Sequence, residues 1–306
     1  SSDLGLAIRR TIQQHVGVPV SVGIAPTKAL AKMANRYAKK RCKETGVFYA
    51  ANALLLDEML LATDIADIWG IGSQYATRLH ARGITTAKKF TELPPDWVRE
   101  QMSVTGLRLW NELRGLPAIE WEAEIKPKKN ICTSRSLGKL SNDYSVIKEA
   151  ISNHAAVCAL KLRRQESVCR QVNVFIGTNP HKTSQAQYHH SITLECETAT
   201  NITGDIIAYA LKGLDIIFRK EGYLYMKCGV MVQDIIPEEC IQQNLFSNRC
   251  RKKDKLLLTA MDSLNLAMGK DTVRMAVQRF DRRYKLRANH LSKRYTTNFN
   301  ELLKIY

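Results

Sequence analysis

The first fifty residues alternate between helical and extended hydrophobic rhythms. Asp3 can cap a helix over 4–15, and the apolar run "VPVSVGIA" (18–25) reads as a strand. Pro26 and Thr27 then open a second helix over 28–40. Leu30, Met33, Ala34 and Tyr37 give that helix an apolar face. Lys28, Lys32, Arg36, Lys39 or Lys40, and Lys43 give it a basic stripe at three-to-four spacing. The stripe starts at a helix N-terminus, where backbone N–H groups also favour an anion. Residues 54–116 carry short helical patterns, broken at Pro94–Pro95 and ended at Gly115. The polar, charged "WEAEIKPKKN" (121–130) reads as a linker.

Beyond it the rhythm becomes regular. Residues 131–137 can form a strand. Residues 143–164 form a helix with Ile147, Ala150, Ile151, His154, Ala155, Cys158 and Leu162 on one face. Period-two alternation follows at Val168, Arg170, Val172, Val174 and Ile176, then at Tyr188, His190, Ile192 and Leu194. A helix over 203–219 presents Ile206, Ile207, Ala210, Leu211, Leu214 and Phe218. A last strand alternates Leu224, Met226, Cys228, Val230 and Val232. Strand–helix–strand–strand–helix–strand predicts a split βαβ, ferredoxin-like sheet with two helices on one face. After Pro237 the period is lost until a helix near 256–268, followed by a basic end dotted with Tyr284, Tyr295 and Phe299. The fold class is α+β, multidomain.

Charge changes this picture most. Forty-six Lys and Arg face 29 Asp and Glu, and a net +17 attracts polyanions, nucleic acid first. From 249 to 306 there are fifteen basic and five acidic residues, so ten of the seventeen net charges lie in the last fifth. The eight cysteines form no C-x-x-C pair and several fall in apolar periodicity, which suits reduced thiols in a cytoplasmic protein better than disulfides or zinc. No run approaches the ~18 apolar residues of a membrane span, so no membrane partner is expected.

The strongest local signal is "DIWGIGSQYATRLHARGI" (67–84). It reads as helix, tight turn, helix, then glycine. Gly70 and Gly72 permit positive φ and remove Cβ atoms, so backbone N–H groups from Gly70, Ile71, Gly72 and Ser73 can face a ligand. Ala76 allows a close helix crossing, while Leu79 and Ile84 pack the hairpin. A phosphate suits such donors. This is a helix-hairpin-helix DNA-backbone motif, which positions DNA without reading its sequence.

With this hairpin, "SVGIAPTKALAKMAN" (21–35), "ICTSRSLG" (131–138), "QQNLF" (242–246) and "LSKRYTT" (291–297) stand in one order. The whole chain thereby resembles the Y-family translesion DNA polymerases, most closely the UmuC branch that supplies the large subunit of bacterial DNA polymerase V. The resemblance implies the end of a palm over 1–53, a thumb over 54–118, a linker over 119–130, a little finger over 131–236, a clamp-binding linker over 237–255 and a UmuC-type region over 256–306. It assigns Lys28 to the incoming nucleotide's triphosphate, and Ser134, Arg135 and Ser136 to the template backbone. Gln242, Leu245 and Phe246 fit a peptide that docks on the sliding clamp. It implies a function in SOS mutagenesis and DNA repair on damaged primer-template DNA, with a UmuD′-type accessory subunit and RecA filaments as partners.

Y-family polymerases hold two metal ions, Mg²⁺ in the complete enzyme, on an Asp and an Asp-Glu pair. The matching segment would precede Ser1. Asp57–Glu58 is the only adjacent Asp-Glu pair and lies in a helical pattern. The expectation is therefore a chain without catalytic carboxylates: either the DNA-binding portion of a polymerase, or a non-catalytic DNA- and clamp-binding protein. Lys293 stands where the family pattern has proline. A helix-hairpin-helix nuclease or glycosylase would need an acid or metal cluster of its own, and the sequence offers none.

Overall fold

The computed structural model describes residues 2–121, 126–182, 184–241, 251–281, 283–285, 290–294 and 297–302. Its contacts divide the chain into two compact units, Ser1–Ile125 and Lys126–Tyr306.

The first unit runs α1 (Ser2–Val16), β1 (Val22–Ile24), α2 (Lys28–Arg41), β2 (Val47–Tyr49), α3 (Ala53–Ala62), a 3-10 turn (Ile65–Asp67), α4 (Ser73–His80), α5 (Ala87–Thr91) and α6 (Pro95–Leu113). The strand expected over 18–25 contracts to three residues. It pairs in parallel with β2, with α2 as the crossover. Sequence reading gives no sign of β2, because three residues are too few to show alternation. The apolar face of α2 is buried as expected at Leu30, Met33 and Ala34, together with Met59, Ile65, Leu79, Phe90, Val98 and Leu113. Pro94 precedes α6 as its cap, and α6 bends at Ser103, where φ is 62°.

The second unit runs β3 (Ile131–Ser141), α7 (Tyr144–Arg164), β4 (Ser167–Thr178), β5 (His189–Thr200), α8 (Thr203–Ile217), β6 (Tyr225–Pro237), a 3-10 turn (Glu238–Cys240) and α9 (Arg251–Ala267). The element order matches the alternation. The strand order does not match a ferredoxin-like sheet, which places its first and third strands inside. Here the antiparallel order is β3-β6-β4-β5, so the second and fourth strands are interior and the first is an edge. Alternation fixes which face a residue takes but not which strand lies beside it. Burial decides that: β4 is buried at nearly every position, whereas β5 is exposed or half-buried over most of its length. In register, Ile131, Val232 and Val172 form one row and Val230 and Val174 another, all buried against α7 and α8.

The basic end is not a loose tail among the described residues. Arg163 holds α9 through Asp262 by two bonds of 2.7 and 2.8 Å, and Leu258 is buried. Asn153 donates to the Gln278 carbonyl at 2.9 Å. Tyr284, one of the aromatics dotting the basic end, is buried and stands edge-on to His154. No described helix is long and apolar enough to cross a membrane.

Gly23 shows how tightly β1 meets α2: a Cβ there would lie 1.9 Å from the Asn35 nitrogen and 2.4 Å from the Ala34 carbonyl carbon. These are backbone atoms of a packed helix and cannot swing away. Gly23→Ala should cost about 3 kcal/mol, the upper range for overpacking. Urea unfolding measures it, and an unchanged midpoint would show that α2 does not lie on β1.

Candidate nucleic-acid interface

The expected helix-hairpin-helix is built differently on its two sides. The element before the glycines is a single 3-10 turn, Ile65–Asp67, rather than a helix. A short clasp holds it: Ile65 donates to Thr85 at 3.0 Å and Ala87 donates to Thr63 at 2.9 Å. Only Gly70 needs its left-handed backbone, with φ of 100°. Gly72 has an ordinary extended conformation as the N-cap of α4. Within the chain nothing lies within 4 Å of a Cβ placed on Gly72, so no internal packing requires glycine there.

The donors separate as well. Ile71 buries its side chain, and its N–H is taken by the Ile68 carbonyl at 3.1 Å. No side chain caps α4. Among the described residues no acceptor takes the N–H groups of Gly72, Ser73, Gln74 or Tyr75. These free donors and the helix dipole face outward where Gly72 leaves the approach open. Trp69, half-exposed, flanks them.

The start of α2 is organised in the opposite way, by residues that sequence reasoning missed. Thr27 caps Leu30, and the Glu112 carboxylate accepts from Ala29 at 3.0 Å. Its other oxygen accepts from Ala118 at 2.8 Å and Ile119 at 3.1 Å. The Thr27 hydroxyl donates to the Glu112 carbonyl at 2.7 Å. Glu112 is 1% exposed. Burial pushes its pKa up, but the three backbone donors outweigh burial and hold it below the ordinary glutamate value. A signal existed: an acid in the last turn of an apolar helix, between Trp110 and Leu113. The backbone donors expected to favour an external anion at α2 are thus already used by an internal one.

The basic stripe is also partly consumed. Arg36 and Lys40 both pair with Asp67, the latter at 2.9 Å, which ties α2 to the hairpin. The bond from Lys40, then that from Arg36, holds the Asp67 carboxyl below its usual range. Lys28 instead donates to the Glu120 carbonyl at 2.5 Å and lies 5.3 Å from the centre of the Trp121 ring.

In the second unit, strand alternation splits the expected backbone-contacting trio. Ser134 pairs with Gly229 and Ser136 with Lys227, on the sheet face away from the helices. Arg135 pairs with Cys228, whose side chain is in the core, so Arg135 belongs to the opposite face. There burial and the Arg135 charge push His154 down to about 4. The open row Ser134–Gly229–Phe175 is close-packed: a Cβ on Gly229 would meet Phe175 at 2.4 Å and Ser134 at 2.5 Å. Gln242, Leu245 and Phe246 lie outside the described residues.

Asp57 and Glu58 do not form a metal site. Asp57 accepts from Lys88 at 2.8 Å, while Glu58 accepts from Tyr37 at 2.6 Å and, through that bond, raises Tyr37 to about 12. Among the described residues no three His, Cys, Asp or Glu converge to hold a metal ion.

The comparisons follow this geometry. Residues 1–36 match the impB/mucB/samB family, residues 128–245 match the C-terminal domain of that family, and residues 255–305 match a domain of unknown function, DUF4113. The chain is 36% identical over 306 residues to Protein UmuC of Salmonella typhimurium (strain LT2), covering 99% of this chain and 72% of that protein. It is 30% identical over 303 residues to Protein SamB of Salmonella typhimurium, covering 98% of this chain and 71% of that one. Among solved structures it resembles a Y-family DNA polymerase chimera of Dbh and Dpo4, with a TM-score of 0.51 and 19% identity over 77% of this chain and 64% of the other, a likeness of fold. The fold is of the Y-family polymerase kind, and the chain belongs to the UmuC-type, impB/mucB/samB family of those polymerases.

Glu112→Gln tests the buried carboxylate. The amide brings an N–H₂ against backbone donors, so the variant should lose about 1–3 kcal/mol near neutral pH. Because the folded pKa is lowered, the stabilisation is complete above the unfolded value of about 4.3 and fades as pH falls through the folded one. Unfolding followed from pH 7 downward should show the two proteins converging in acid. A constant gap across that range would remove the ionised carboxylate from the account.

Proposed function

We propose that this chain supplies the DNA-holding portion of an error-prone translesion DNA polymerase that acts in SOS mutagenesis and DNA repair. The observation that carries the reading is the start of α4. Four unpaired N–H groups stand beside a glycine whose missing Cβ serves no internal contact, in a chain of net charge +17. A DNA phosphate meets those donors and occupies the open approach. In this reading the first unit combines palm end and thumb, and the second is the little finger with the UmuC-type region. Ser134 and Ser136 then contact the template backbone from the open face of an edge strand. Arg135 does so only around that edge, because alternation turns it away.

Lys28 reaches the triphosphate of the incoming nucleotide. It does so by its side chain, since Glu112 and Thr27 take the Ala29, Leu30 and Ala31 donors of α2. The family's divalent metal does not fit the acids described, since Asp57 and Glu58 are held by Lys88 and Tyr37. The second reading is a DNA- and clamp-binding protein that occupies primer ends without extending them. Extension of a primer by the 306-residue chain with Mg²⁺ and nucleotides would rule it out.

Anisotropy with labelled primer-template should show binding with little sequence preference and a linear fall of log affinity with log salt, as counterion release requires. Gly72→Val should weaken binding by about 1–3 kcal/mol through charge-assisted bonds left unmade, with the fold intact because its side chain enters open space. Equal affinity in a folded variant would sink the α4 assignment.

Partner contacts follow from the clamp-type sequence motif and from exposed apolar residues on α9. Gln242, Leu245 and Phe246 dock on the sliding clamp, weakly and with help from DNA-bound proximity. Leu256 and Leu257, 71% and 65% exposed on α9, receive a UmuD′-type accessory subunit, and RecA filaments engage the assembled complex. Deleting 256–306 is a poor test, since it removes Leu258, Gln278 and Tyr284 from the packed unit. Point variants separate the partners in pull-downs. Leu245→Ala with Phe246→Ala should lose only the clamp, and Leu256→Ser with Leu257→Ser only the accessory subunit. Retention of both partners by both variants would refute these assignments.

A further inference from the structure

The basic stripe on α2 is divided by its partners. Arg36 and Lys40 share the Asp67 carboxylate, which offsets one of their two charges. Among the described residues, Lys28 faces a neutral carbonyl, that of Glu120, and a neutral ring, that of Trp121. Its charge is covered but not cancelled. The segment that covers it is fixed from behind: one Glu112 oxygen holds Ala118 and Ile119, while the other holds Ala29, the residue after Lys28. The same carboxylate therefore sets both sides of the contact. Trp121 is 83% exposed and contributes nothing to the packed core. A large indole lying in solvent against one ammonium group has that contact as its structural consequence.

From this we infer that Glu120 and Trp121 form a latch over Lys28 that a polyphosphate must open, so that Trp121 sets the threshold for anion binding at the start of α2. The inference rests on Lys28 being the phosphate-binding lysine proposed above. Phosphate oxygens are stronger partners for an ammonium than a carbonyl and an exposed ring, because both donor and acceptor are ionised. The latch therefore yields to a triphosphate but shields Lys28 from a single weak anion. The Ala29, Leu30 and Ala31 N–H groups cannot substitute for the Lys28 side chain, since they already donate to Glu112, the Thr27 hydroxyl and the Thr27 carbonyl.

The test uses the full 306-residue chain and two readouts. The first is the rate of reductive methylation of the Lys28 amine, followed by mass spectrometry without any ligand. Trp121→Ala should raise that rate about 2- to 5-fold, the factor an exposed cation–π contact supplies, and Trp121→Phe should restore most of the protection. The second is calorimetric binding of inorganic tripolyphosphate. Trp121→Ala should bind it more tightly by a similar factor, and Lys28→Gln should abolish that gain. An unchanged methylation rate, or an unchanged tripolyphosphate affinity in Trp121→Ala while Lys28→Gln still binds more weakly than the parent, overturns the latch alone. A Lys28→Gln protein that binds tripolyphosphate as well as the parent overturns the phosphate role of Lys28 and the latch with it.

Discussion

A buried carboxylate without a cation organises the first unit. Glu112 comes from the last turn of α6, and its two oxygens are satisfied by backbone N–H groups of Ala29, Ala118 and Ile119. Burying a charge is costly unless hydrogen bonds replace its hydration, and three peptide donors do so here. The arrangement joins the start of α2 to a segment distant in sequence, the end of α6 with the chain leaving that helix. It also determines what the start of α2 can do. A helix N-terminus that already holds an anion is less disposed to recruit a second one by its backbone, which is why the proposed function gives the ligand to the Lys28 side chain.

The hairpin shows the complementary solution. At α4 the backbone donors are left open, and no side chain caps them. Gly70 is needed for its backbone angle, whereas Gly72 is spare within the chain. Asp67 couples this element to α2 by holding Arg36 and Lys40, which engages two basic side chains of the stripe and leaves Lys28 and Lys32 toward its beginning. In the proposed function the two helix starts of one unit divide the work, one for backbone capture of phosphate and one for capture by a side chain.

The second unit is held together by its sheet and by the return of the C-terminal region onto it. Arg163, half-covered at the end of α7, binds Asp262 of α9, the Asn201 carbonyl and the Thr203 hydroxyl. Asn153 and Gln278 add a buried polar contact, and Tyr284 closes against His154. The residues from α9 to Tyr284 therefore complete this unit's packing while still leaving Leu256 and Leu257 exposed.

The sequence alone determined the elements and their faces, because a period of 3.6 or 2 is a local property of the chain. The apolar face of α2, the helices α7 and α8, and the alternation of β4 and β6 were all legible from it. So were the motif order that marks the family and the glycine turn before α4. Three-residue β2 was not legible, since it is shorter than any period. Only the tertiary structure decided the strand order, because alternation carries no information about neighbours. That Arg135 faces away from Ser134 and Ser136 was already implicit in the strand expected over 131–137, since adjacent strand residues alternate. Glu112, Asp67 and Trp121 acquired their roles from segments 27 to 93 residues away, and contacts of that range are set by how the chain folds back on itself.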